Sequence, residues 1–297
     1  MKITPVKTEK LLPVRQSLTS IIEAHIPSLP NGSVLAVTAK IIALCQGRFV
    51  KIGEGDKDEL VRNEAEYYLS GSENRYGIPL TIKHNILVAW SGIDESNGAG
   101  TYVLWPDDPQ GVANELRRFL VQKYGVEQVG VIITDSRTTP LRMGVTGVTI
   151  AHSGFAAINN YIGKPDLFGV TMKVTRVNVM DGLGAAAVLV MGEGDEQTPL
   201  TVIEDVPFVQ FQPRDPTADE LAQLSIALDD DLFAPLLRAA TGTRAARDPL
   251  PVHQLFPDGR GRCLSRPPRR GTTSTRRTRP PSTGSRRSSS IPPGRAT

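Results

Sequence analysis

Apolar residues in this chain recur in short blocks, and as far as about residue 240 their spacing switches between strand-like alternation and helical periodicity. In "SLTSIIEAHI", Leu18, Ile21, Ile22 and Ile26 fall near one helical face. "SVLAVTAKIIAL" is rich in Val and Ile and reads as a buried strand and its extension. "KDELVRNEAEYYL" joins helix formers to charge and predicts a solvated helix, while "HNILVAW" predicts a short strand. In "DPQGVANELRRFLVQKYG", Val112, Leu116, Phe119 and Leu120 share a face, with Asp108 before Pro109 as the start signal and Gly125 as the stop. "EQVGVIITD" predicts a buried strand ending on a carboxylate, and "VTMKVTRVNVM" alternates as a strand does. "DGLGAAAVLVMGEG" predicts a small-residue helix running into a glycine-rich turn, followed by a strand in "TPLTVIED". "TADELAQLSIAL" opens with Thr217 and Glu220 at capping-box spacing and predicts another helix. The elements describe an α/β domain of mixed α+β character over residues 1–240, with no internal repeat of fixed period.

Composition changes the picture at the C-terminal end. The segment 244–297 has thirteen Arg, no Lys and two acids, so it carries +11 and leaves −8 on the rest of a chain whose net charge is +3. It also holds nine Pro and thirteen Ser or Thr with hardly any aliphatic residue, too little apolar area to offset ordering entropy. Residues 241–297 are therefore expected to form a disordered Arg/Pro/Ser-rich tail. Clustered Arg attracts phosphate. The bias towards Arg, Pro, Ser and Thr also resembles a GC-rich message read out of frame, and that passenger reading is preferred, so nucleic acid is not the expected partner. No apolar run is long enough for a membrane span and the N-terminus has no signal-peptide pattern. Cys45 and Cys263 form neither a disulfide framework nor a zinc site, which points to a reducing cytoplasm.

Three segments share one design: an apolar run that ends in an oxygen-rich turn. They are "ILVAWSGIDESN", "VGVIITDSRTTPLRMG" and "AAAVLVMGEGDEQTP". Together they offer Asp94, Glu95, Ser96, Asn97, Asp135, Ser136, Glu193, Asp195 and Glu196. Hard divalent cations take oxygen ligands, and Mg2+ commonly uses one or two carboxylates plus substrate phosphates. Converging acids repel unless a cation or a proton intervenes. Taken singly, each segment is equally an ordinary turn, since Gly, Asp, Ser and Asn are turn residues. In "MGEGDEQTP", Gly192 and Gly194 allow backbone N–H groups to cradle an anion, while Glu193 can reach a metal on it. Walker-type and Rossmann fingerprints are absent. Arg137 and Arg142, just after Asp135, suit phosphate or carboxylate, or a plain solvated surface. The four histidines, His25, His84, His152 and His253, are scattered and lack ligand spacing, and "AHSGF" around Ser153 is not a nucleophile elbow.

"SGIDESN", "GVIITDSRTTPLRMGVTG", "GKPDLFG" and "LVMGEGDEQTP", in this order, resemble the coenzyme F420-0:L-glutamate ligase family, over about residues 10–205. The early "NGSVLAVTAKIIALCQGR" looks like that family's first conserved strand. The resemblance implies a γ-glutamyl ligase with an intertwined α/β dimer fold, GTP as co-substrate and two divalent ions, Mg2+ or Mn2+. It implies Asp94 and Asp135 as ligands of one ion, and Ser136 and Glu193 of the other. Leu12, Pro13, Val14, Asn97, Met191, Gly192, Gly194 and Asp195 match nucleotide-contacting positions. Phosphoryl transfer would make an acyl phosphate, which the amine of glutamate displaces, and Arg142 would stabilise the transferring phosphate or a substrate acid.

The chain departs from the pattern at three places. The family's Thr-x-Gly-Arg after the Asp is Ser136-Arg137-Thr138-Thr139, its Asn-Ala before "GID" is Trp90-Ser91, and a Lys before "GR" is replaced by Leu44, with Lys40 as a substitute one turn earlier. These changes touch acceptor recognition more than metal chemistry, so a folate or pterin acceptor stands beside F420-0. A metal-dependent nucleotide phosphohydrolase and a non-catalytic binding protein are the further alternatives.

Overall fold

The computed structural model describes residues 1–13, 16–240 and 243–244, which belong to one unit of the fold. In chain order come β1 (Lys2–Val6), α1 (Leu18–His25), β2 (Ser33–Thr38), α2 (Ala39–Gln46), β3 (Phe49–Lys51), α3 (Lys57–Glu64), β4 (Tyr67–Leu69), β5 (Leu80–Lys83) and β6 (Ile86–Ala89). They are followed by β7 (Thr101–Val103), α4 (Pro109–Tyr124), β8 (Val129–Thr138), β9 (Val145–Ser153), β10 (Ile158–Asn160), β11 (Arg176–Asn178), α5 (Val179–Met191), β12 (Leu200–Glu204), α6 (Ala218–Ala222), α7 (Ala234–Ala240) and β13 (Thr243–Arg244).

The main sheet has five strands in the order β1-β12-β2-β8-β9. Only β2 and β8 run parallel, with Ser33 opposite Val129 and Thr38 opposite Thr134; the other pairs in this sheet are antiparallel. Helices cover both faces. On one side Leu18, Ile22, Ile42, Leu116 and Leu120 from α1, α2 and α4 pack on Leu35, Val37, Val131 and Ile133. On the other, Met180, Leu183 and Ala187 of α5 pack on Val34, Ala36 and Ile132. This double coverage explains why β2 reads as an unbroken apolar run rather than an alternating one. β4, β5 and β6 form a smaller antiparallel sheet with β13 at its edge, and β3 pairs with β7.

Several expectations hold. α4 starts on Asp108, whose carboxylate accepts from the Gly111 N–H, and stops at left-handed Gly125. The Thr217–Glu220 capping box is formed in full at α6. Others need correcting. "SVLAVTAKIIAL" is a strand only to Thr38; its second half is helix α2, ended by Gly47 at φ 75°. Apolar residues on every side hide the change of period at that point. "KDELVRNEAEYYL" is helical only to Glu64 and then enters β4, and its Leu60 and Val61 are buried. In "VTMKVTRVNVM" only the three exposed residues of β11 are strand, and its last two residues, Val179 and Met180, already open α5. Among the described residues, no helix is long and apolar enough to cross a membrane. Apart from Thr243–Arg244, the expected tail lies outside the described residues, as does Val14.

α5 reaches its place through a contact between glycines. A Cβ on Gly147 of β9 would lie 2.4 Å from the Gly184 carbonyl oxygen and 2.8 Å from the Val188 Cβ. Since α5 ends at the glycine-rich turn, this contact sets where that turn sits. Gly147→Ala is expected to push α5 outward and cost about 1–3 kcal/mol, measured by urea unfolding.

Candidate active site

The parallel pair β2–β8 ends in two threonines side by side, and the chain beyond each enters one cleft. After Thr38, the first turn of α2 presents Lys40. After Thr134, β8 presents Asp135 and Ser136. The cleft is about 390 Å³ and is also lined by Asp94, Ser96, Asn97, Met191, Glu193 and Leu12.

Asp94 belongs to a turn held by its own side chain. One carboxylate oxygen accepts from the Ser96 N–H at 2.8 Å and the other from the Ser96 hydroxyl at 2.9 Å, an Asx-type turn. Lys40 Nζ donates to Asp94 Oδ2 at 2.6 Å and to the Ser96 carbonyl at 2.8 Å. Burial pushes the Asp94 carboxyl up, but the Lys40 ammonium and the Ser96 donors outweigh it and hold it below the ordinary carboxylate range.

Asp135 lacks such a partner. Its Oδ2 accepts the Trp105 indole N–H at 2.5 Å. Burial, with Asp94 adding repulsion, pushes it up to about 6 in spite of that bond and of nearby Lys40. Glu193 is also raised, by burial first and then by Asp94 and Glu196; the 3.2 Å bond from the Ser136 hydroxyl only partly offsets this.

The glycine-rich turn is tied to these acids. Asn97 Nδ2 donates to the Gly194 carbonyl at 2.9 Å, and Thr198 Oγ1 donates to the Met191 carbonyl at 2.5 Å. The Gly194 N–H points to a carboxylate, Glu196 Oε2, at 2.8 Å. Gly192 takes φ 76° and ψ 175°, a conformation that L side chains rarely adopt, and a Cβ there would also displace that carboxylate. The turn thus already holds an anion, supplied by its own chain.

Of the residues singled out from sequence, Asp94, Asn97, Asp135, Ser136, Met191, Gly192, Glu193, Gly194, Asp195 and Leu12 line this one cleft. Pro13 and Arg142 are not among its lining residues, and Arg142 lies in the exposed turn between β8 and β9. Convergence is looser than chelation: among the described residues, no three His, Cys, Asp or Glu side chains are close enough to hold a metal ion by themselves. Sequence reasoning missed Trp105 and the inward fold of Glu196. No motif marks the first, whereas the second could have been suspected from an acid two residues past Gly194.

With this geometry, the comparison with known proteins is decisive. A model of the F420-0:gamma-glutamyl ligase family matches residues 10–205. The chain belongs to the F420-0:gamma-glutamyl ligase family. It is 34% identical over 218 residues to the coenzyme F420:L-glutamate ligase of Methanopyrus kandleri, covering 68% of this chain and 86% of that protein. The protein of the same name from Archaeoglobus fulgidus is 31% identical over 218 residues, 68% of this chain and 87% of its own. That of Methanothermobacter thermautotrophicus is 36% identical over 206 residues, 61% and 77% respectively. The family match spans Asp94, Asp135, Glu193, Asp195 and Glu196, all of which line the cleft.

Asp135 links this site to stability. As pH rises from 3.8 to about 6, the unfolded chain gives up this proton before the folded one does. Stability therefore falls across that window, and the ionised carboxylate burdens the folded state at neutral pH. Asp135→Asn keeps an acceptor for the indole and removes the charge. It is expected to raise stability at pH 8 by on the order of 2–3 kcal/mol and to change it little below pH 4, measured by urea unfolding in chelator at the two pH values.

Proposed function

We propose that this protein adds L-glutamate to coenzyme F420-0 through an amide bond, in a reaction that uses GTP and divalent cations. The observation that carries this reading is the convergence of Asp94, Asp135, Ser136 and Glu193 on one cleft beside the 192–194 turn, in a chain of this family. The donors are all oxygen, and two of the acids are raised by burial first and then by repulsion from Asp94, which suits a hard divalent ion. Since no three acids among the described residues chelate alone, phosphate oxygens would complete the coordination, the usual arrangement for Mg2+.

Asp94 and Asp135 would hold one ion, and Ser136 and Glu193 the other; bound Mg2+ or Mn2+ would offset the charge of the triphosphate. The residues of this chain do the positioning. Asn97 fixes the glycine-rich turn against the Asp94 turn, and the Gly194 N–H is aimed at an anion. Gly192, Asp195, Met191 and Leu12 line the same cleft, Leu12 offering apolar surface for the nucleotide. Lys40 compensates Asp94 from within the cleft. An acceptor carboxylate attacks the γ-phosphorus, GDP leaves, and an acyl phosphate forms. The amine of glutamate then attacks the acyl carbon, and phosphate leaves with the C–O bond electrons. Each step needs alignment and charge compensation more than covalent help from the protein.

The expected product is F420-0 carrying added glutamate, with equal amounts of GDP and phosphate, detected by mass spectrometry in Mg2+. A reduced folate offered in place of F420-0 tests the pterin alternative, and ATP tests the nucleotide. Nucleotide hydrolysis with no glutamate incorporated into either acceptor would instead favour the phosphohydrolase. Asp94→Asn should lower both Mn2+ binding and activity by a hundredfold or more, roughly 3 kcal/mol. Arg142→Ala should lower turnover while leaving Mn2+ binding intact.

A homodimer is part of the same proposal. Leu141 and Met143 on the β8–β9 turn are essentially fully exposed. So are Leu167 and Phe168, on a tip where Asp166 accepts from the Phe168 and Val170 N–H groups and Gly169 takes φ 81°. Two turns that each end in bare apolar side chains support burial against a second copy. Arg142 lies between Leu141 and Met143, so its role on phosphate is tied to that assembly. Light scattering after gel filtration should give twice the chain mass, and the double variant Leu141→Asp, Phe168→Asp should give one chain.

A further inference from the structure

We propose that Trp105 is a positioning residue for the cation site, its indole N–H fixing one oxygen of Asp135 so that the carboxylate meets the cation in a single orientation. This rests on the proposed ligand role of Asp135. The bond runs from Trp105 Nε1 to Asp135 Oδ2 at 2.5 Å, and the indole is 1% exposed. An aromatic ring seldom has so little freedom. A Cβ on Gly92, the glycine of "SGID", would lie 2.1 Å from Nε1, so only glycine leaves room for the indole there. The His84 ring stacks on the indole at 6.0 Å and 7°, and Lys83 Nζ lies 5.4 Å from its centroid. The Trp105 carbonyl accepts from Arg48 Nε at 3.1 Å. Arg48 and Lys83 in turn share Glu64, at 2.7 and 2.5 Å.

A buried ion network thus holds the ring, and the ring holds the carboxylate. Asp135 stands one residue beyond the end of the β2–β8 pairing, where its carboxylate would otherwise rotate about χ2. An N–H on one oxygen selects one rotamer and leaves the other oxygen to the cleft. Partners of this kind orient metal ligands, and losing one typically weakens metal binding 10- to 100-fold. A plainer role also exists: a buried indole N–H needs an acceptor, and Asp135 happens to be one. The two roles differ in what they do to cation affinity.

The test replaces Trp105 in the full chain with 3-benzothienylalanine, which keeps the bicyclic shape and substitutes sulfur for N–H. Mn2+ binding is read by electron paramagnetic resonance without nucleotide, so the readout is independent of turnover. Affinity 10- to 100-fold weaker than wild type, with the folded circular dichroism spectrum kept, supports the proposal. Affinity within twofold of wild type overturns it and leaves the cation site standing. A wild-type protein that binds no Mn2+ overturns both. If the isostere fails to fold, Trp90→Phe protein supplies the second measurement, with Trp105 as the sole tryptophan. Its emission should shift on adding Mg2+ and should not shift when Asp135→Asn is also present. A spectrum that ignores Mg2+ under conditions where Mn2+ binding is measured overturns the proposal.

Discussion

The parallel pairing of β2 with β8 is the constraint on which the rest depends. Antiparallel neighbours can be joined by a tight turn, but parallel ones need a crossover. Here the crossover runs from residue 39 to 128 and carries Lys40, the Asp94 turn and Trp105. Since their pairing ends at Thr38 and Thr134, the chain after Thr38 and β8 beyond Thr134 open into the same space. Clefts at the carboxyl ends of parallel strands are where α/β proteins commonly bind ligands. The pairing also explains why the two cores are so apolar: strands covered on both faces cannot alternate.

Charge in the cleft is unevenly compensated. Asp94 has the ammonium of Lys40 and two donors from Ser96, whereas Asp135 has two neutral donors, the Trp105 indole and the Ser136 backbone N–H, and Glu193 one hydroxyl. Environments that push neighbouring carboxyls apart in acidity mark sites with work to do. The cleft is also incomplete as a chelator among the described residues, so the proposed cation would need oxygens from phosphate as well. Glu196 on the Gly194 N–H shows what that turn favours, a negatively charged oxygen.

What could be read in advance divides along physical lines. Caps and stops act over a few residues, so Asp108, Gly125 and the Thr217–Glu220 box were legible. The switch from β2 to α2 was not, because "VTAKII" is apolar in either conformation and only packing decides. The exposed β11 shows the converse: alternation is a sign of a strand only where a core waits under one face. At the site, Asp94, Asp135, Ser136 and Glu193 were nameable through turn chemistry and resemblance, and they do share a cleft. Arg142 was chosen by its closeness in sequence to Asp135, yet a hairpin tip carries it out of that cleft. Lys40 reaches Asp94 across 54 positions of chain, a contact that no local pattern encodes. Trp105 was invisible for the same reason: its partner lies 30 residues further on.

The place of β12 bears on how the molecule is made. The strand formed by residues 200–204 lies between β1 and β2, both of which leave the ribosome far earlier. Until it arrives, β1 has no neighbour in the main sheet and one edge of β2 is bare. The growing chain must therefore keep exposed strand edges from pairing wrongly for the time needed to add more than 160 residues after β2. Closure comes with the insertion of a late segment into a waiting slot, and the topology favours slow folding dominated by distant contacts over stepwise assembly from the N-terminus.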